Sequence, residues 1–152
     1  MALNEDMISR AFMKRFLTNF SGAANAVFAD RNDFDPATSS EFFQFNLRTY
    51  ARRVRRKTDR KRIDLRGEFR ITCKRDVANI YKAADYAHEL RGLFDSTCFD
   101  VFDFDSASPS TSVARVELYE ARTVDITDAV EASLPGQGVV YQVEFRGVAH
   151  EA

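Results

Sequence analysis

Tryptophan is absent from this 152-residue chain, and cysteine, histidine and proline are scarce, with two, two and three copies. Each shortage removes a class of protein. The two cysteines, Cys73 and Cys98, form no C-x-x-C pair, so a disulfide scaffold and a thiolate zinc site are both unexpected. Two reduced thiols are the reading. His88 and His150 are too few for a histidine-rich metal centre. No apolar run approaches the ~20 residues a helix needs to cross a bilayer, so no membrane partner is expected. The first ten residues carry Glu5 and Asp6 and lack the apolar core of a secretion signal, which points to synthesis and action in the cytoplasm. Phosphate-cradling glycine loops are missing. Gly136-Gln137-Gly138 has neither a following helix nor a lysine, and reads as a turn.

Phenylalanine, by contrast, is abundant, with fourteen copies, and this aromatic material must enter a core or an interface. Hydrophobic residues make up 45% and charged residues 30%, a globular balance rather than a disordered one. The length suits one domain over 1–152, and such a domain buries roughly 68–70% of its unfolded surface, enough for a core without staples. Charge is unevenly placed. From Arg48 to Arg75 there are thirteen Lys/Arg against three acids, a net of +10, while the rest of the chain has nine against twenty, a net of −11. One strongly basic segment on an acidic body can clasp copies of itself or grip a polyanion.

The hydrophobic periodicity predicts a helix over Asn4 to Phe20. Ile8, Phe12, Phe16 and Phe20 recur every four residues, with Met13 and Leu17 widening the stripe. Asn4 is placed to cap it, and Ser21-Gly22 to stop it. Ala26 to Ala29 reads as a short strand, and Asp30 to Ser40 as a polar loop. Phe42 to Val54 is an extended segment with Phe43, Phe45, Leu47, Thr49 and Ala51 on one face. Ile63, Leu65, Gly67, Phe69, Ile71 and Cys73 then alternate with polar residues, a period of two with one dry and one wet face. The two segments form one long antiparallel hairpin whose tip, Arg55 to Lys61, is cationic. Asp76 to Phe94 reads as a second helix, capped by Asp76, with Val77, Ile80, Tyr81, Ala84, Ala87, Leu90 and Phe94 as its buried stripe. Strands follow at Phe99 to Phe104, Val113 to Val124 and Val139 to Phe145, the last with Gln142, Glu144 and Arg146 outward. Asp125 to Gly138 is a loop with room for a helical turn. No βαβ repeat occurs. The expected fold is α+β: an antiparallel sheet of about four to five strands, two helices packed on one face, and a long basic β-hairpin.

No constellation of catalytic residues emerges, so no enzyme is expected, and neither a metal nor a cofactor is implied. His88 reads as a helix-surface or half-buried residue, and His150 as part of a frayed C-terminal tail. Cys73 continues a dry strand face and reads as core. Asp100, Asp103 and Asp105 lack the glycine and the distal glutamate of a calcium loop, so a solvated strand edge is the better reading. The basic hairpin stands out. It can be a solvated face, a protein interface or a nucleic-acid contact. The acidic remainder favours the interface; with Tyr50 the only nearby aromatic for stacking, and no recognition-helix or RNA-binding-strand signature, nucleic-acid contact is disfavoured.

In four features the chain resembles the tail terminator (minor tail protein U-like) family of long-tailed phages and gene transfer agents. They are the N-terminal helix, the hairpin whose second strand carries "RGEFRITCK", the following helix "DVANIYKAADYAHELRGLF", and the closing strand "GVVYQVEFRG". The likeness spans most of the chain but excludes Asp125 to Gly138. It implies an α+β virion structural protein that forms a hexameric ring at the head-proximal end of the tail tube, stops tube polymerisation and docks the tail to the head. The implied partners are like subunits, the tail tube protein and a head–tail connector or stopper protein, with DNA passing through the lumen without specific binding. The implied place is the neck of the virion tail, after assembly in the host cytoplasm. Arg52, Arg53, Arg55, Arg56, Lys57, Arg60 and Lys61 are the expected interface residues. A head–tail connector or tail completion protein, and a nucleic-acid-binding module using the hairpin, are the alternatives.

Overall fold

A computed structural model of the chain describes residues 3–29, 40–51, 61–74, 81–103, 111–133, 136 and 138–151. Helix α1 (Glu5–Asn19) precedes strands β1 (Glu41–Ala51) and β2 (Arg62–Cys73). Helix α2 (Lys82–Phe94) follows, then β3 (Cys98–Phe102), β4 (Ser112–Asp125), a short helix α3 (Thr127–Ser133) and β5 (Val139–Glu151). The strands make one antiparallel sheet in the order β1-β2-β5-β4-β3. The fold is therefore α+β, with α1 and α2 packed on one face of a single sheet and β1–β2 joined as a long hairpin. Helix α3 lies where the sequence allowed only a turn.

Local chemistry explains the first helix. Asn4 is extended and its side-chain oxygen accepts from the Met7 N–H at 2.9 Å, satisfying one orphan donor of the first turn. Glu5 and Asp6 then meet the positive end of the helix. Met7, Ile8, Ala11, Phe12 and Phe16 form its buried stripe. Leu17, expected to widen that stripe, is 56% exposed. It lies nine residues after Ile8, about half a turn round a 3.6-residue helix, and so faces away.

Helix α2 needs a similar correction. Its stripe is Ala83, Ala87, Leu90 and Phe94. Ala84 is half-buried, and Tyr81 precedes the first turn and is 73% exposed. The expected cap Asp76, with Val77 and Ile80, falls outside the described residues. The expected strand at Ala26 to Ala29 is a single parallel bridge: Phe43 N–H donates to Val27 O and Ala29 N–H to Phe43 O.

The period-two pattern is fully expressed in β2, where Ile63, Leu65, Gly67, Phe69, Ile71 and Cys73 are all buried against the helices. Phenylalanine fills the seam. Phe12 stacks on Phe145 at 4.9 Å and meets Phe99 edge-on at 5.0 Å, while Phe69 contacts Phe45 at 4.8 Å, Phe94 at 5.1 Å and Phe16 at 5.5 Å. Such pairs add about 0.5–1.5 kcal/mol each beyond area burial. Polar ties join the helix ends: Arg15 Nε donates to Leu93 O, and Glu89 accepts from the Ser21 N–H and hydroxyl.

One irregularity sets the alternation of β4. Register shifts between Leu118 and Glu120, leaving Tyr119 as the extra residue of a bulge. The dry face accordingly passes from Ala114, Val116 and Leu118 to Ala121. Opposite Leu118 stands Gly147, where an added Cβ would run into the Glu117 carbonyl oxygen.

Phe69→Ala should lower unfolding free energy by about 3–5 kcal/mol in urea, because several rings lose contacts at once. Gly147→Ala should also destabilise, on the order of 1–3 kcal/mol, since the obstruction is backbone rather than a side chain that can swing away. An unchanged midpoint in either variant contradicts this account of the core.

Candidate functional site

Helices cover one face of the sheet, and the other carries the polar half of every strand. Because β1, β2, β5 and β4 pair in register, those side chains form rows that cross the sheet, with neighbours ~4.8 Å apart. One row reads Arg48, Arg66, Arg146, Glu120; the next reads Asn46, Glu68, Glu144, Arg122. Beyond them come Gln44, Arg70, Gln142 and Val124. The first two rows line an open depression of about 600 Å³. At one end of this face, Phe42, Thr72 and Val140 are buried, and so is Gln142, expected to point outward, which Arg70 and Glu144 cover and hydrogen-bond; the Thr127 hydroxyl bonds both backbone groups of Val140.

A chain of polar contacts crosses the face diagonally. Arg70 Nη2 donates to Gln142 Oε1 at 3.2 Å, Gln142 Nε2 to Glu144 Oε1 at 2.8 Å, and Arg122 Nε to Glu144 Oε2 at 2.5 Å. Partial burial opposes ionisation of Glu144. Hydrogen bonds from Arg122 and Gln142, with the charges of Arg122 and Arg66, outweigh it and hold the carboxyl below its ordinary value. The central rows are otherwise unbalanced. Three arginines stand directly opposite one another on β1, β2 and β5, an arrangement that costs stability. Arg48, Arg146, Glu68 and Glu120 make no hydrogen bond or ion pair with any described residue.

Of the basic residues expected to form an interface, Arg52, Arg53, Arg55, Arg56, Lys57 and Arg60 lie outside the described residues. Lys61 is described, and its ammonium already donates to the Leu3 carbonyl of its own subunit at 2.9 Å. Asp100 sits on β3 with the Ser112 hydroxyl 3.5 Å away, Asp103 follows the strand, and Asp105 is outside the described residues. Among the described residues no three His, Cys, Asp or Glu side chains converge to hold a metal ion, and no helix is long and apolar enough to cross a membrane. His88 is exposed on α2; His150, expected in a frayed tail, is instead paired in β5 between Arg62 and Arg115, with its Nε2 3.8 Å from Glu117 Oε2. Cys73 is buried, and burial pushes its thiol up to about 11, with the Glu41 charge adding to the effect; Cys98 is exposed.

Sequence reading missed the network around Glu144. Its outward position in the last strand was legible, but its partners come from β4 and from the Gln142 beside it. Only the register brings Arg122 opposite it. The chain matches no protein-family model and no curated protein.

An aromatic disulfide reagent at neutral pH should titrate one thiol quickly, Cys98, and the second only after denaturation; two fast thiols would contradict the burial of Cys73. An unfolded Cys73 loses its proton near 9.0 and the folded one near 11, so its contribution to stability is complete below pH 9 and is lost as pH rises towards 11. Arg122→Ala should raise the Glu144 pKa towards or above its ordinary value, read by NMR titration of the side-chain carboxyl. The stability this group provides is present above its unfolded pKa and fades as pH falls through the folded one.

Proposed function

We propose that the chain is a non-catalytic virion structural protein, a tail terminator whose subunits close into a ring on the head-proximal end of a phage tail tube. The observation that carries this reading is charge segregation along the sheet. Strand β2 and the last residues of β1, from Arg48 on, belong to the +10 segment and lie at one edge, and β3, with Asp100 on it and Asp103 just after it, lies at the other. A subunit with unlike edges suits a heterologous contact, in which each copy offers its basic side to the acidic side of the next until the circle closes. The α+β architecture agrees with what the resemblance implies.

In this reading the hairpin residues Arg52, Arg53, Arg55, Arg56, Lys57 and Arg60 reach the neighbouring subunit or the tube beneath. Lys61 takes the smaller part of bracing the N-terminus through Leu3. The ring halts tube growth by capping its last layer and presents its opposite surface to a connector or stopper. DNA traverses the lumen without sequence recognition. The protein acts in the tail neck of the virion.

Negative-stain microscopy and native mass measurement should give a closed, roughly sixfold annulus. Reversing Arg53, Arg55, Arg56 and Lys57 to Glu should leave the circular dichroism spectrum intact and reduce the ring to single subunits. A ring unaffected by the reversal refutes the edge-to-edge contact. A solitary chain whose affinity for DNA falls steeply with salt instead assigns the hairpin to nucleic-acid binding. A ring that binds a connector but never a tail tube makes the protein a connector component.

A further inference from the structure

The open face of the sheet carries its own complement. The depression at its centre is lined by four arginines and three glutamates, a net of +1, which is a poor trap for a polyanion. The ordered feature is the alternation: a row of three cations ending in an anion lies beside a row with two anions ending in a cation. Rows are ~7 Å apart along the strands. Arg48, Arg146, Glu68 and Glu120 make no ion pair within their own subunit among the described residues, and the three aligned arginines are repulsive as they stand.

We propose that this face binds the same face of a second copy of the chain. The two-fold axis lies in the plane between the sheets, parallel to the rows and midway between the Arg66 row and the Glu68 row. Such an axis sets each strand over its own counterpart and places one row over the other. Arg66 then faces Glu68 of the second copy, Arg146 faces Glu144, and Glu120 faces Arg122. Symmetry doubles every pair. In the next rows outward a single charge pair follows, Arg70 opposite Asp64, while Gln142 meets Val148 and Glu117 meets Val124. Sheets packed face to face hold their strands within about 30° of alignment, so the rows nearest the axis stay in contact while twist separates the outer ones. Arg48, which faces Asn46, tolerates the absence of a carboxylate because it lies on the edge strand.

The contact is isologous and uses the face, whereas the proposed ring uses the edges. The two stand independently. Face pairing doubles the mass of a single subunit; in a ring the axis runs along the circumference and not through the centre, so the same contact links one ring to others.

Sedimentation of the full chain at low salt should show single subunits doubling in mass, or rings joining one another, as concentration rises, and added salt should reverse it by screening. Arg66→Glu places Glu against Glu68 of the other copy, and Glu68→Arg places Arg against its Arg66. Each variant alone should lose the doubling. An equimolar mixture of the two should recover it, because each new charge then meets its opposite. Recovery also excludes misfolding as the cause of the loss. A parent mass independent of concentration at low salt overturns the proposal. So does either variant pairing as the parent does, or a mixture no heavier than its components. Retention of the undoubled parent on polyphosphate, abolished in Arg66→Glu, would assign the face to an anion and overturn it equally.

Discussion

Everything described rests on a seam of phenylalanine rings between two helices and one sheet face. Phe12 and Phe16 enter from α1 and Phe94 from α2, and they meet Phe43, Phe69 and Phe145 on three strands. These rings are buried, all but Phe145 completely. Rings that interlock in stacked and edge-on pairs allow few alternative packings, because the close-packed interior has no room for a shifted strand. A one-residue slip in β2 would turn Phe69 outward and Arg70 inward, so the seam sets the register of the sheet as well as its stability.

That constraint has a consequence on the opposite face. Once register is set by the dry side, the polar side chains are placed without regard to their own preferences. Three arginines fall into one row and two glutamates into the next. Some of this charge is resolved locally, as where Arg122 and Gln142 hold Glu144 ionised. The rest is presented outward, on a face whose described charges number almost as many anions as cations. The bulge at Tyr119 belongs to the same arrangement. It restores the alternation of β4 so that Glu120 and Arg122 join the rows while Ala121 returns to the core.

Much of the architecture is legible in local pattern. The alternation from Ile63 to Cys73, the fourfold recurrence of Ile8, Phe12 and Phe16, and the Asn4 cap follow from chain geometry over a few residues, and each occurs where expected. Errors arose where a short window holds competing apolar residues. Tyr81 and Leu17 are large and apolar but stand off the buried arc, and the helix phase is decided by Ala83 and Ala87, small residues that allow close approach to the sheet. The segment at Ala26 to Ala29 is apolar enough for a strand, yet makes one bridge because Phe28 packs onto Phe16 and Phe43 instead of extending the ladder.

Sequence alone determined the alternation of each element: a period of two or of 3.6 is a property of the backbone, and it sorts side chains onto faces before any long-range contact forms. It also carried the imbalance of charge between the segment Arg48 to Arg75 and the rest of the chain. Tertiary structure alone decided who stands beside whom on the wet face. Glu144 is 76 residues from Glu68 and 22 from Arg122, and no local rule relates them. They meet because β5 inserts between β2 and β4, a pairing of segments distant in the chain that only the closed sheet provides.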